Sequence, residues 1–349
     1  MAPNILITGG SGYLGGSLLA NLKPANLPSH GCIFAAVRKP EQAEAVKQYN
    51  VMPLTLDLDD ADGTTKAIID NEISVIFFLV DAIKSQTQLT MIKALAEVKK
   101  KTGNEVHFLH TTGAKMFSSH VGHPTDKPLL DTDPKLYDIQ KSHQGPFDIM
   151  NTALSTNNIV IDAAEARGVR CYIFAPCIVY GKGEGFGNKI SIQTVAIVQA
   201  ARALQQVYKT DPGNPTWPVC HVYDNTTLYL QILRKILEGE EIGYGKNGYF
   251  LASSGSVPWN DLYAAMARAL AQHGAVDDEA VKEADEGVLK KMGEALKCSP
   301  DFVAVQLAGT CAYTAEHGKR IGWVPKYSAE HILEAASAEV ELILKHQAA

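Results

Sequence analysis

A glycine-rich turn between a strand-like run and a helix-like run constrains this chain more than any other feature. The apolar run from Ile5 to Thr8 leads into Gly9-Gly10-Ser11-Gly12-Tyr13-Leu14-Gly15 and then into an amphipathic stretch. The glycines fit two registers, Gly10-x-Gly12-x-x-Gly15 and Gly9-x-x-Gly12-x-x-Gly15. Such spacing permits a tight turn, a close approach of backbone to pyrophosphate, and close packing of helix on strand. The turn therefore predicts a phosphate-binding helix N-terminus, with contacts from Gly9, Ser11, Gly12, Tyr13 and Leu14.

The first half of the chain alternates short apolar runs with helical stretches. Most runs are continuously apolar, which is typical of strands buried on both faces of a parallel sheet. The predicted strands are Ile5–Thr8, Cys32–Val37, Met52–Leu56, Val75–Val80, Val106–His110 and Arg170–Ala175. The predicted helices between them are Tyr13–Leu22, Pro40–Tyr49, Asp60–Asn71, Ser85–Lys101 and Phe147–Arg167. This order predicts an α/β protein with a Rossmann doubly wound parallel sheet.

The second half of the chain is less regular and mostly helical. We expect a short strand over His221-Val222-Tyr223-Asp224 and another over Tyr249–Ala252. Helices are predicted at Ile190–Val207, Thr226–Leu237, Pro258–His273, Asp278–Lys297, Asp301–Thr310 and Ser328–Gln347. We therefore expect residues 1–180, with a returning segment at about 219–255, to form the cofactor-binding Rossmann domain. Residues 181–218 and 256–349 would form a smaller, mostly helical C-terminal substrate cap.

The residues after the second predicted strand indicate which cofactor to expect. NAD enzymes usually place an acid there to bond the ribose 2′-hydroxyl, but this strand ends in Val37-Arg38-Lys39. A guanidinium pairs well with a 2′-phosphate, so Arg38 and Lys39 predict NADP(H). Two solvated bases at the start of a helix are the alternative. The other predicted cofactor contacts follow later strands and are Asp57, Leu58, Leu79, Val80, Pro176 and Ile178.

With Thr8-Gly9-x-x-Gly12-x-x-Gly15, the chain resembles the short-chain dehydrogenase/reductase superfamily, in particular its extended and atypical epimerase/dehydratase-like members. The run Ala175-Pro176-Cys177-Ile178-Val179-Tyr180-Gly181 is similar to the family's proline-containing turn beside the nicotinamide. A later run from Val219 to Asp224 resembles a strand that precedes a helix in the family. The resemblance covers roughly residues 4–240.

The resemblance implies a Tyr-x-x-x-Lys pair on one helix and a Ser or Thr after the fifth strand. The matching residues are Tyr137 as acid/base, Lys141 as its partner, and Thr112 as the polarising hydroxyl. However, Pro146 interrupts a continuous helix from Tyr137 into the long helix that leads to the sixth strand. The expected positions on that helix hold Asn151, Thr152, Ser155 and Thr156. A subgroup without the usual tyrosine is therefore the alternative.

These features favour an NADP(H)-dependent oxidoreductase that acts on a carbonyl or secondary alcohol of a small organic molecule. Two alternatives stay open: an epimerase- or dehydratase-type enzyme that recycles its cofactor internally, and a non-catalytic NADP-sensing regulator. The side chains of Tyr180, Phe186 and Trp217 favour a hydrophobic or aromatic substrate, with ordinary packing as the alternative.

Charge and composition exclude some partners. The net charge of −6 gives no long-range attraction to nucleic acid or to an anionic membrane, and the longest dense apolar run, Val75–Val80, is too short to span a bilayer. His120 and His123 lie near Asp126, but the sequence offers no third strong ligand at metal spacing, so no metal is expected. A monomer and a homodimer both stay open.

Cysteine usage indicates a reducing compartment. None of the six cysteines forms a C-x-x-C pair, and several, including Cys32 and Cys171, adjoin apolar runs. We therefore expect buried, reduced thiols. Because the strand-like run begins directly after Met1-Ala2-Pro3, with no basic segment before it, we expect a cytoplasmic protein.

Overall fold

The computed structural model describes residues 2–347 and is built around a seven-stranded sheet in which all neighbouring strands pair in parallel. In chain order the strands are β1 (Asn4–Ile7), β2 (Ile33–Val37), β3 (Met52–Thr55), β4 (Ile73–Phe78), β5 (His107–Thr111), β6 (Leu129–Leu130), β7 (Arg170–Pro176), β8 (Ile178–Tyr180), β9 (Val207–Lys209), β10 (Thr216–His221), β11 (Tyr249–Ala252), β12 (Gly255–Pro258), β13 (Val281–Glu283) and β14 (Tyr313–Thr314).

The helices flank this sheet and build most of the second half of the chain. They are α1 (Tyr13–Asn21), α2 (Pro40–Val46), α3 (Ala61–Asp70), α4 (Gln86–Thr102), α5 (Leu136–Ser142), α6 (Asp148–Glu165), α7 (Gln193–Leu204), α8 (Val222–Leu237), α9 (Trp259–Gln272), α10 (Glu286–Leu296), α11 (Pro300–Leu307), α12 (His317–Arg320), α13 (His331–Glu334) and α14 (Ala336–Gln347).

The strand order of the main sheet is β11-β7-β5-β4-β1-β2-β3. The chain builds outward from β1 to β3, returns to β4 on the other side of β1, and then continues outward to β11. This reversal creates a crevice at the carboxyl ends of β1 and β4, where open α/β sheets bind their ligands. The predicted doubly wound α/β fold is confirmed.

Burial on both faces of the sheet explains why the sequence predicts these strands. Every residue of β4 is buried, as are Ile5, Leu6 and Ile7 of β1, because helices cover both faces of the sheet. The six strands predicted in the first half agree with the observed ones to within two residues at each end. Gly103, with φ +74°, ends α4 in the left-handed conformation that a glycine adopts without strain.

Two predictions in the second half are wrong. The strand expected over residues 221–224 is β10, which ends at His221, because the His221 ring accepts the Tyr223 N–H at 3.2 Å and caps α8. The helix expected over residues 278–297 begins only at Glu286, where Asp285 caps α10 by accepting the Val288 N–H at 2.8 Å. The residues before it form β13, which pairs with β9.

The remaining elements form a mostly helical cap with small sheets. The strands β8, β10 and β12 form one of these sheets, while α7 packs against α10 and α9 packs against α14. β11 returns to the main sheet beside β7, and α8 packs against α1. The predicted boundaries between the two parts stay a prediction.

The six cysteines are free thiols. Cys171, Cys177, Cys220 and Cys311 are buried, whereas Cys298 is half-buried. Cys32 is exposed, so its predicted burial is wrong: it lies just before β2 begins, at the edge of the protein, where its N–H donates to the Asn4 side chain at 2.8 Å.

Candidate active site

A cavity of about 510 Å³ opens at the carboxyl ends of β1, β4, β5 and β7. Its walls combine the glycine-rich turn, the ends of these strands and residues of the cap. The lining residues are Gly9, Gly12, Tyr13, Leu14, Gly15, Leu79, Ala82, Ile83, Thr111, Thr112, Gly113, Ala114, Lys115, Met116, Pro176, Cys177, Val179, Asn188, Ser191, Ile192, Gln193 and Trp217. Its volume lies within the range of small-molecule and cofactor sites.

The glycine-rich turn is closed by its own backbone and open towards the cavity. Gly9 has φ +73°, and a Cβ placed on it would lie 2.7 Å from the Leu79 carbonyl oxygen, so the turn needs glycine there. The Gly12 N–H donates to the Gly9 carbonyl at 2.8 Å. Gly12 is the N-cap of α1 and supplies no side-chain cap. The first-turn N–H groups of α1 therefore require an acceptor from outside the helix, which a phosphate can supply.

Six of the predicted cofactor residues line this one cavity, namely Gly9, Gly12, Tyr13, Leu14, Leu79 and Pro176. Thr112, the predicted polarising hydroxyl, lines it too, and its buried Oγ1 has no hydrogen-bond partner within residues 2–347. The other seven predicted contacts do not line it. Ile178 has a fully buried side chain, Val80 is 53% exposed, and the Ser11 hydroxyl accepts from the Gln42 amide. The remaining four, Arg38, Lys39, Asp57 and Leu58, lie outside the cavity wall.

Arg38 and Lys39 lie beside the turn, outside the cavity wall. Their N–H groups both donate to Oε1 of Gln42, at 3.0 and 3.3 Å, which fixes the start of α2. The Gln42 amide also donates to Ser11 Oγ at 3.4 Å, so the end of β2 is tied to the glycine-rich turn. Lys39 lies 3.8 Å from Glu41, whereas the exposed Arg38 guanidinium makes no ion pair within the described residues.

Asp57 and Leu58 follow β3, the outermost strand on this side. The exposed Asp57 carboxylate accepts the Asp59 N–H at 3.1 Å, and Leu58 is half-buried. Neither residue lines the cavity, and their predicted contacts with the cofactor stay predictions.

A segment that we call the strap, residues 181–189, packs across the outer side of the glycine-rich turn. The Asn188 N–H donates to the Ser11 carbonyl at 2.9 Å, and the Tyr13 hydroxyl donates to the Gly181 carbonyl at 2.6 Å. Gly185 packs so closely on α1 that a Cβ on Gly16 would lie 2.9 Å from the Gly185 Cα. The strap thus fixes one side of the cavity entrance.

A buried carboxyl from α14 anchors the strap. Glu339 is 3% exposed and accepts the Gly181 N–H at 2.8 Å and the Thr194 hydroxyl at 2.7 Å. Burial raises the pKa of Glu339, which these two hydrogen bonds partly oppose.

Among the residues that the structure describes, Lys115 is the one charged side chain on the cavity wall. It follows β5 in a short 3₁₀ turn, Ala114–Phe117, and its ammonium makes no hydrogen bond or ion pair within residues 2–347. Burial lowers the pKa of Lys115 to about 8. Our sequence reasoning missed this residue. The signal was a single lysine in the apolar run Ala114-Lys115-Met116-Phe117, directly after the strand that ends in Thr111-Thr112.

Tyr137 and Lys141 lie elsewhere. The Tyr137 hydroxyl donates to Asp162 at 2.5 Å and accepts from Lys141 at 2.8 Å, while Lys246 lies 4.7 Å from the ring centre. Asp162 is in the last turn of α6 and Lys246 precedes β11, so this cluster stands at the amino-terminal edge of the sheet, opposite the cavity. Burial, and then the hydrogen bond to Asp162, raise the pKa of Tyr137.

The chain reaches this cluster through an excursion, residues 123–144, whose two ends lie in contact with each other. A Cβ on Gly122 would lie 2.6 Å from the Gln144 carbonyl oxygen, and Gly145 packs against the carbonyl of His120. The excursion carries α5, with Tyr137 and Lys141, away from the cavity before α6 begins. The structure therefore does not bring these two residues together with Thr112.

Residues 2–347 contain no group of three His, Cys, Asp or Glu side chains arranged to hold a metal ion. None of the helices described is both long enough and apolar enough to cross a membrane.

The parallel sheet, its switch point and the glycine-rich turn define a dinucleotide-binding protein. The sequence profile of the NAD-dependent epimerase/dehydratase family matches residues 5–244. The chain belongs to this family, within the extended short-chain dehydrogenase/reductase superfamily, and its cofactor is a pyridine nucleotide. A comparison with curated protein sequences gives no significant match.

Solved structures share the fold over nearly the whole chain. UDP-glucose 4-epimerase from Thermotoga maritima, solved with UDP-glucose, is 17% identical with a TM-score of 0.63 over 99% of both chains. The dTDP-glucose 4,6-dehydratase from Bacillus anthracis, solved with NAD, is 13% identical with a TM-score of 0.66 over 99% of this chain and 98% of that one. A partial consensus L-threonine 3-dehydrogenase is 13% identical with a TM-score of 0.59 over 97% and 100%. At these identities the likeness concerns the fold alone.

Proposed function

We propose that the protein is an NADP(H)-dependent oxidoreductase that acts on a carbonyl or secondary alcohol of a small, largely apolar molecule. The observation that carries this proposal is the single cavity in which the uncapped N-terminus of α1 and the end of β5 meet an apolar wall. That wall includes Ile83, Met116, Ile192 and Trp217.

The residues present fit a dinucleotide. The N–H groups at the start of α1 would hold the pyrophosphate, since Gly12 leaves them without a side-chain cap. Leu79 and Pro176 would border the rest of the cofactor from the ends of β4 and β7. When bound, the nicotinamide would supply or accept a hydride.

Arg38 supports the phosphorylated form of the cofactor. Its guanidinium is exposed and has no ion-pair partner among the described residues, and its backbone is tied to the glycine-rich turn through Gln42. A planar guanidinium in that position can bind a 2′-phosphate through paired charged hydrogen bonds. The absence of an acid at the end of β2 removes the usual partner of an unmodified ribose.

The apolar wall indicates the substrate class. Trp217 lies on the wall from β10, and Tyr180 and Phe186, which we expected beside it, do not line the cavity. Thr111, Thr112 and Lys115 supply the polar groups at the end of β5, and of these the Thr111 hydroxyl is already paired with the Tyr229 hydroxyl at 2.8 Å. A cavity with a few convergent polar groups in an apolar lining favours a small organic carbonyl compound over a highly charged one.

An epimerase or dehydratase reaction, with the cofactor recycled internally, is the second candidate because the matching family is named for it. A nucleotide-sugar substrate would bring a diphosphate into the site. Within residues 2–347, Lys115 is the single cation on the wall to receive it. The apolar lining therefore favours the first candidate.

Turnover with a panel of small apolar and aromatic aldehydes and ketones tests the proposal. The purified protein should consume NADPH faster than NADH, as read from the absorbance of the reduced nicotinamide, and Gly12→Val provides the matched control with an obstructed cofactor site. Substrate conversion without net cofactor change would favour the second candidate. Cofactor binding without any conversion would favour a cofactor-sensing regulator.

A further inference from the structure

Carbonyl reduction needs a group that gives a proton to the substrate oxygen, and few groups on the cavity wall can do so. The lining residues with titratable side chains are Tyr13, Lys115 and Cys177. The Tyr13 hydroxyl donates to the Gly181 carbonyl at 2.6 Å, and the Cys177 thiol donates to the Ala252 carbonyl at 3.0 Å. Burial raises the pKa of both groups, so neither gains the acidity that a proton donor needs.

Lys115 differs from both in geometry. It is half-buried on the wall, three residues after Thr112, and its ammonium has no partner among residues 2–347. An ammonium in an apolar wall that has no acceptor of its own gains by donating to a substrate oxygen. The unpartnered hydroxyl of Thr112 can donate to that same oxygen from the end of β5.

We infer that Lys115 is the proton donor of this enzyme and takes the role that the resemblance assigned to Tyr137, whose hydroxyl lies outside the cavity. The inference rests on the proposed function. In reduction, the Lys115 ammonium gives one proton to the carbonyl oxygen while the carbonyl carbon receives the hydride from the reduced nicotinamide. The C=O π bond is lost, the alcohol forms, the cofactor is oxidised, and the neutral Lys115 amine regains a proton from water.

The pKa of about 8 suits this role, because a general acid works best when its pKa is close to the working pH. The titratable groups that face Lys115 are His120, which follows it in the chain, and Tyr13 and Cys177 on the cavity wall. Burial lowers the pKa of His120, the hydrogen bond to the Ala308 carbonyl opposes this shift, and the charge of Lys115 adds to it. The cavity wall, as far as residues 2–347 form it, includes no carboxylate that would raise the pKa of Lys115 again.

Substitutions separate proton donation from charge. Lys115→Met should lower kcat by roughly 100-fold or more, the usual contribution of a general acid, with cofactor affinity within about twofold of wild type. Lys115→Arg keeps the positive charge but holds its proton too tightly to donate it, so kcat should stay low. Wild-type kcat for reduction should fall above about pH 8, and neither variant should show that limb. Lys93→Met, on the exposed side of α4, is the matched control and should behave as wild type.

A second measurement does not use activity. The rate of carbamylation by cyanate, corrected at each pH for the fraction present as cyanic acid and read by peptide mass spectrometry on the cofactor-free protein, follows the fraction of neutral amine at each lysine. Lys115 should reach half its maximal rate near pH 8, against about 10.4 for an ordinary lysine.

The outcomes are distinct. If the wild type reduces carbonyl compounds and Lys115→Met has the same kcat, this inference is overturned while the proposed function stands. Full activity of Lys115→Arg would show that only the charge matters, and a carbamylation midpoint near 10.4 would also refute proton donation. If the wild type reduces no carbonyl compound, the proposed function and this inference fall together. Thermal unfolding of each variant confirms that the comparison is made on folded protein.

Discussion

Replacing Gly12 by valine should abolish cofactor binding and leave the fold intact. Gly12 has φ −80° and ψ 171°, an extended conformation open to any residue. A Cβ there would meet only the Gly9 carbonyl oxygen, at 3.1 Å, and would otherwise point into the cavity. Valine loses the preference of glycine for the N-cap but restricts the unfolded chain. We therefore expect stability to change by about 1 kcal/mol or less.

The loss of binding should be much larger. The valine methyl groups would occupy the space through which the pyrophosphate reaches the first N–H groups of α1. Hydrogen bonds to charged groups contribute roughly 1.5–3 kcal/mol each. Losing two of them costs about 3–6 kcal/mol, which is a loss in affinity of at least about 100-fold.

Gly15→Ala supplies the contrast. A Cβ on Gly15 would lie 2.7 Å from the Gly9 carbonyl carbon, in the contact between α1 and the turn. Such overpacking typically costs about 1–3 kcal/mol, so this variant should lose stability as well as binding. Titration calorimetry with NADP(H) and thermal unfolding without cofactor measure the two effects separately. A Gly12→Val protein with wild-type affinity would show that the turn holds no phosphate.

Three other substitutions test separate parts of the molecule. Arg38→Ala should weaken NADP(H) binding by roughly 10- to 100-fold, because one charged hydrogen bond is lost, and should leave NAD(H) binding unchanged. Equal weakening of both cofactors in calorimetry would refute the 2′-phosphate contact. Tyr137→Phe should leave kcat unchanged and lower the free energy of unfolding by about 1 kcal/mol, because its hydroxyl donates to Asp162 outside the cavity. Loss of most turnover would instead return Tyr137 to the active site. Glu339 has a raised folded-state pKa, so its contribution to stability is present below its unfolded-state pKa and is lost as pH rises through the folded-state value. In Glu339→Gln, the free energy of unfolding should therefore fall less steeply with rising pH, by a slope that corresponds to at most one proton. Urea unfolding across pH measures this slope, and an unchanged slope would contradict this account.

Local patterns were enough to predict the sheet and the cofactor edge. Strands such as β4 are apolar at nearly every position because both faces are covered, and this shows in the sequence without any knowledge of their neighbours. The glycine-rich turn is equally local, since Gly9 and Gly12 act through their own backbones. Six predicted cofactor residues consequently line one cavity.

The chemistry was not readable in this way, because it depends on where distant segments dock. Pro146 correctly indicated that Tyr137 does not share a helix with α6. Its actual partners, Asp162 and Lys246, are 25 and 109 positions away, and no local pattern identifies them. Lys115 is distinguished only by the folded chain, which places it among the described residues as the single charge in an apolar cavity wall.

The anchoring of the strap by Glu339 also sets an order of events during synthesis. Gly181 and Glu339 are 158 residues apart, so the ribosome releases the glycine-rich turn and the strap long before the carboxyl that holds them together. The nascent chain can assemble β1 to β5 early, while the strap still lacks the acceptor for its first N–H. A chain terminated before α14 would therefore keep most of its sheet and display an open cofactor edge, which quality-control proteases could recognise as an unfinished product.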